Sequence, residues 1–145
     1  MKNLFLIFAF AASTFAVKAQ ETKPTKEETI TWIKEKLEKY IPVADGLKNF
    51  QILKIDETEV IYKYTDTYCD EKVNFPISDI KSVEIGNDGS NYIFFNSKSV
   101  HRAYCSNGNS YYSYVKIYAG EADICTRLEK AFKHLASFAQ KKETF

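Results

Sequence analysis

Phe50-Gln51-Ile52-Leu53-Lys54-Ile55-Asp56-Glu57-Thr58-Glu59-Val60-Ile61-Tyr62-Lys63-Tyr64 is the stretch that decides the architecture. Two runs rich in β-branched and aromatic residues, Phe50 to Ile55 and Val60 to Tyr64, flank the polar turn Asp56-Glu57-Thr58, which reads as a β-hairpin. Side chains alternate across a strand, so Val60, Tyr62 and Tyr64 share one face and Ile61, Lys63 and Thr65 the other. The chain beyond the hairpin continues in the same mode. Val73, Phe75 and Ile77 alternate in a third strand, where Pro76 predicts an edge position or a bulge. Val83 and Ile85 mark a fourth strand, closed by Gly86-Asn87-Asp88-Gly89, and Tyr92 to Phe95 a fifth. Val100 to Cys105 reads as a sixth, and Asn107-Gly108 turns the chain into Tyr111 to Tyr118, a seventh.

Helical patterns flank these strands. Thr25-Lys26-Glu27-Glu28 is a capping box, followed by Ile30, Ile33, Leu37 and Tyr40 or Ile41 on one stripe, with Trp32 beside it. Lys34/Glu38 and Glu35/Lys39 can pair along the wet face. Pro42 is predicted to end this helix, and Asp45-Gly46 to turn the chain. After Gly120, the stripe Ile124, Leu128, Ala131 or Phe132, Leu135 and Phe138 or Ala139 predicts a long C-terminal helix. Glu121 and Asp123 at its start and Lys141 and Lys142 at its end suit the helix dipole. The expected fold class is α+β: an N-terminal helix, about seven antiparallel strands as a sandwich or partly open barrel, and a long amphipathic helix buried against it. Residues 26–145 read as one domain behind a polar spacer over residues 20–25.

This layout resembles the pleckstrin-homology-like fold. The resemblance rests on Ile77-Ser78-Asp79-Ile80-Lys81-Ser82-Val83 between strands three and four and on Arg127 to Leu135 in the helix. It covers Phe50 to Gln140 and implies seven strands in two sheets with the helix plugging one end. Phosphoinositide-binding members carry a basic cluster between strands one and two; here that turn is Asp56-Glu57-Thr58-Glu59, so the resemblance implies the fold and no ligand.

Residues 1–19 combine a positive start, Met1-Lys2-Asn3, an apolar run from Leu4 to Ala12 extended by Phe15 to Val17, and the small-residue pattern Val17-Lys18-Ala19. This is the build of a secretory signal peptide cut after Ala19, and it predicts a periplasmic or extracellular protein with no membrane span in the mature part. Its loss removes Lys2 and Lys18, taking 20 basic residues to 18 against 19 acids, a formal −1. A near-neutral domain has no electrostatic footprint for nucleic acid.

Candidate chemistry is sparse. His101 and Cys105 are four apart on one strand face, and a metal pair or a cysteine nucleophile can be drawn there. No further ligand doublet or catalytic signature accompanies them, so neither metal nor cofactor is expected. His134 borders the last helix stripe as a flanking residue. Asp56, Glu57, Glu59, Asp66, Asp70 and Glu71 are expected as solvated acids in turns. Tyr104 to Tyr114, reading Tyr-Cys-Ser-Asn-Gly-Asn-Ser-Tyr-Tyr-Ser-Tyr, has the composition of recognition loops. Tyr104, Tyr111, Tyr112 and Tyr114 are therefore the candidate binding residues, against the plainer alternative of a hairpin with tyrosines packed at its edge.

Export permits a disulfide among Cys69, Cys105 and Cys125. The run of strand seven carries the chain too far from Cys105 for a Cys105–Cys125 bridge. The resemblance would put Cys69 at the same end as the helix start, which implies Cys69–Cys125 with Cys105 left over. The expected function is an exported, non-catalytic binding domain for a protein or small envelope ligand. The alternatives are a small secreted hydrolase and a structural component of the envelope that docks through Trp32 and the first helix.

Overall fold

A computed structural model describes residues 23–65, 69–103, 108–118 and 123–140. Helix α1 spans Lys26–Asp45. Its capping box forms as expected: Glu28 N–H donates to Thr25 Oγ1 at 3.2 Å, and Thr25 N–H to Glu28 Oε2 at 2.7 Å. The helix passes through Pro42 instead of stopping there. A proline in the last turn deletes one N–H, but its carbonyl still accepts from Gly46 and Leu47, and Gly46 closes the helix at φ 63°.

Eight strands follow: β1 (Lys48–Ile55), β2 (Glu59–Thr65), β3 (Asp70–Pro76), β4 (Ile80–Ile85), β5 (Asn91–Phe95), β6 (Val100–Ala103), β7 (Asn109–Tyr112) and β8 (Tyr114–Ile117). They form two antiparallel sheets, β1-β2-β3-β6-β7 and β4-β5-β8. Helix α2 spans Ile124–Gln140. The architecture is thus α+β, with helices at both ends of the strand series.

Asp56 shapes the β1–β2 turn by accepting from Thr58 N–H at 2.8 Å and Glu59 N–H at 3.0 Å. Pro76 lies neither on an edge strand nor in a bulge. β3 is interior, between β2 and β6, and Pro76 is its last residue, past the final rung Asn74↔His101 shared with β6. Its missing N–H therefore removes no bond to β6. A 3-10 turn over Ile77–Asp79 then redirects the chain into the second sheet.

The expected seventh strand is two strands. The chain breaks at Ser113, leaving Tyr112 paired with Val100 in one sheet and Tyr114 with Phe94 in the other. The Ser113 carbonyl accepts from Phe95 N–H at 2.9 Å, tying the break to β5. One short segment therefore belongs to both sheets.

The inner faces and both helices share one core. Ile33 and Leu37 of α1, Val60, Val73 and Phe75 of the first sheet, Ile93 and Ile117 of the second, and Leu128, Phe132 and Leu135 of α2 are all essentially solvent-free. Burying each such side chain stabilises by about 1.5–3 kcal/mol. Phe75 joins three layers: its ring centroid is 5.2 Å from Phe95 and 6.4 Å from Phe132. α1 packs on α2, β8 and β1, while α2 also covers β4.

Two of the acids expected in water are buried. Glu57 pairs with Lys26 at 2.5 Å, pinning the start of α1 to the β1–β2 turn. Glu71 lies inside the first sheet. Among the described residues no helix is long and apolar enough to cross a membrane. The signal segment over residues 1–19, spacer residues 20–22, Asp66, Tyr104, Cys105, Asn107, Gly120, Glu121, Lys141 and Lys142 lie outside the described residues.

Candidate functional site

Strand alternation turns Tyr62 and Tyr64 toward the interior. The register of the five-stranded sheet then sets polar groups beside them. Glu71 stands opposite Tyr64, Val73 opposite Tyr62, Arg102 opposite Val73, and Ser110 opposite Arg102. Tyr64 OH donates to Glu71 Oε2 at 2.5 Å, and Arg102 Nε lies 3.8 Å from the same oxygen. Tyr64 is 3% and Glu71 5% exposed, so their hydrogen bond is buried. Burial, reinforced by the Glu71 acceptor, pushes the Tyr64 hydroxyl well above the ordinary tyrosine range. The Arg102 guanidinium sits between two rings, 5.0 Å from the Tyr112 centroid and 5.8 Å from that of Tyr64.

The second sheet supplies the other wall. Tyr92 pairs with Lys116 and Phe94 with Tyr114 across β5 and β8, which places Tyr92, Tyr114 and Lys116 close together. The Tyr92 and Tyr114 rings meet edge to face at 5.3 Å, and Tyr112 and Tyr114 at 6.2 Å. Tyr92 OH donates to Asp88 Oδ2 at 2.6 Å; that bond, with one from Ser90 N–H, holds the Asp88 carboxyl below its usual range. A Cβ at Gly86 would overlap the Tyr92 ring, so glycine is required for this ring position.

The product is a cleft of about 520 Å³ where β7 parts from β8, lined by Tyr62, Tyr64, Tyr92, Tyr112 and Tyr114 with Arg102 and Lys116. Its volume suits a small organic molecule. Ring faces, a guanidinium and a lysine are groups that bind.

Of the four tyrosines expected to bind, the structure brings together Tyr112 and Tyr114, on different strands rather than one face of a single strand. Tyr111 does not line the cleft; it is 58% exposed and packs on His101, centroids 5.1 Å apart. Tyr104 lies outside the described residues. Sequence reasoning did not assign Tyr62, Tyr64, Tyr92, Arg102 or Lys116 to the site. The alternation Tyr62-Lys63-Tyr64 was the available signal, two hydroxyl-bearing rings on a face otherwise apolar.

Both ring nitrogens of His101 meet asparagine side chains, Asn74 Oδ1 and Asn109 Oδ1, each at 3.1 Å. Among the described residues no three of His, Cys, Asp and Glu cluster to hold a metal ion. The implied Cys69–Cys125 bridge is not formed. Cys125 is a free, buried thiol whose Sγ donates to Asn91 Oδ1 at 3.0 Å, and burial pushes its pKa up. The first turn of α2 faces the core, which is why its thiol is enclosed.

A second groove, of about 710 Å³, runs between α1 and α2 beside Trp32. Several of its polar groups serve the helices themselves. Arg127 lies 5.2 Å over Trp32 and 3.5 Å from Asp123, and His134 Nε2 donates to the Pro24 carbonyl at 2.8 Å. Trp32 thus reads as part of the seam between the helices, and His134 as the residue that ties α2 to the chain before α1.

Compared with protein-family models, with curated proteins and with solved structures, the chain finds no match.

Proposed function

We propose that this protein is an exported binding domain that holds a small ligand in the cleft between its two sheets. The observation that carries this is the construction of the cleft: five tyrosines drawn from four strands surround an arginine held between two of their rings. Tyrosine rings supply contact area at small entropic cost, and a pre-positioned guanidinium loses little freedom on binding. Export is read from the signal-like segment over residues 1–19. The pleckstrin-homology-like layout belongs to the same reading; two antiparallel sheets followed by a helix with a buried stripe support it.

The hydrolase alternative is the weaker one, since His101, the base drawn for its cysteine nucleophile, has both ring nitrogens on asparagine side chains. Envelope docking through Trp32 is also weaker, because the seam residues already engage one another.

Native mass spectrometry of protein purified from the exported fraction tests the reading. The wild type should carry a small bound molecule that the Tyr112→Ala/Tyr114→Ala double variant lacks while keeping the same circular dichroism. A folded double variant that retains the same molecule would refute it.

A further inference from the structure

We infer that the ligand of this cleft is a small organic carboxylate with a flat or apolar body, contacted by Arg102, with Tyr64 and Glu71 as positioning residues. This rests on the binding reading above.

The charge of the lining points to an anion. Its residues include two cations, Arg102 and Lys116, and no carboxylate. Loss of residues 1–19 leaves a formal charge of −1, so the two cations are a feature of this lining and not of the chain's overall charge; Glu71 and Asp88 stand behind them, outside it. Glu71 is not a lining residue; it is 5% exposed and meets the Nε edge of the guanidinium. The Arg102 side chain, in contrast, is 32% exposed. Arginine offers a planar fork that matches a carboxylate in two parallel hydrogen bonds. That fork needs its plane held, and here the Tyr64 and Tyr112 rings flank it while the Tyr64–Glu71 bond fixes the carboxylate behind it.

The rest of the cleft describes the body of the ligand. Tyr92, Tyr112 and Tyr114 meet in successive edge-to-face contacts, leaving ring surface on which a flat or aliphatic group can lie. A volume of about 520 Å³ admits a molecule of metabolite size and excludes a folded domain.

Titration calorimetry with matched acid and amide probes tests this: phenylpropionate against phenylpropionamide, and hexanoate against hexanamide. Each acid should bind about tenfold or more tightly than its amide, the size of one charge-assisted hydrogen bond. Arg102→Gln should bring acid and amide affinities to within about twofold of each other, and Arg102→Lys should restore part of the preference. Tyr64→Phe should lower the acid-to-amide ratio, a split that general loosening of the fold would not produce. Equal binding of acid and amide by the wild type, or a preference unchanged in folded Arg102→Gln, overturns the inference. So does phenyl phosphate binding more tightly than either acid, which moves the ligand to another class. If amides bind as well as acids and Tyr112→Ala/Tyr114→Ala abolishes both, the cleft still binds and only the carboxylate assignment fails. If no probe binds at all, the carboxylate assignment fails, and the native mass measurement decides the binding reading separately.

Discussion

Removing one hydroxyl, in Tyr64→Phe, tests whether the relay behind Arg102 is the enclosed device its geometry describes. The ring stays, so packing against Tyr62 at 6.2 Å is preserved. What goes is a 2.5 Å hydrogen bond to a carboxylate that is itself 5% exposed. A hydrogen bond to a charged group contributes about 1.5–3 kcal/mol, and its loss leaves the buried Glu71 short of a donor. Urea unfolding at pH 7 should therefore show a loss in that range. Glu71→Gln keeps the shape and removes the charge. The double variant should then lose less than the two single losses added, with a coupling of about 1 kcal/mol or more. The alkaline limb gives an independent reading. Unfolded tyrosine releases its proton near pH 10, whereas folded Tyr64 keeps its own well above that because of burial and Glu71. The unfolded chain then binds fewer protons, so stability falls as pH rises past about 10, at up to about 1.4 kcal/mol per pH unit for this one group. The wild type should lose stability there more steeply than Tyr64→Phe. A variant within about 0.5 kcal/mol of wild type, with a parallel alkaline limb, would refute a buried, charge-assisted bond.

Leu128→Ala and Leu135→Ala remove solvent-free side chains of α2 and should each cost about 2–5 kcal/mol in urea unfolding, whereas exposed Lys130→Ala should stay within about 0.5 kcal/mol of wild type. Asp56 is lifted by partial burial but held far below the usual carboxylate range by bonds from Thr58, Lys54 and Glu59; its contribution is present above pH about 4 and lost as pH falls below it. Asp56→Ala should therefore flatten the acid limb of the stability profile. Cys125 should resist alkylation in the native state and react on unfolding, so that non-reducing peptide maps show any bridge between Cys69 and Cys105 and none to Cys125. Exported protein should begin at Gln20 on N-terminal sequencing and fractionate without membrane.

The order and kind of the elements were legible in the chain because they depend on local pattern. Period-two alternation at Val60, Tyr62 and Tyr64 marked a strand, and stripes at three and four marked both helices. The capping box at Thr25 and Glu28 formed where the residues placed it. Local chemistry misled at Pro42, where a last-turn proline has little to lose, and at Pro76, where the end of a strand serves as well as an edge.

The binding cleft was legible only in part. Tyr112 and Tyr114 stood out by composition, yet their apposition with Tyr62, Tyr64 and Arg102 depends on which strands pair. β3 pairs with β6 across the excursion of β4 and β5, and nothing within either strand specifies that partner. The break at Ser113 likewise follows from two sheets competing for one segment. Sequence alone determined the inward stripe of each helix and the alternation along strands such as β2, since both follow backbone period, while inward Glu71 and exposed Ile85 departed from it. Tertiary structure decided which inward faces meet, because sheet order is settled by burial summed over the whole core and not by any one segment's propensity.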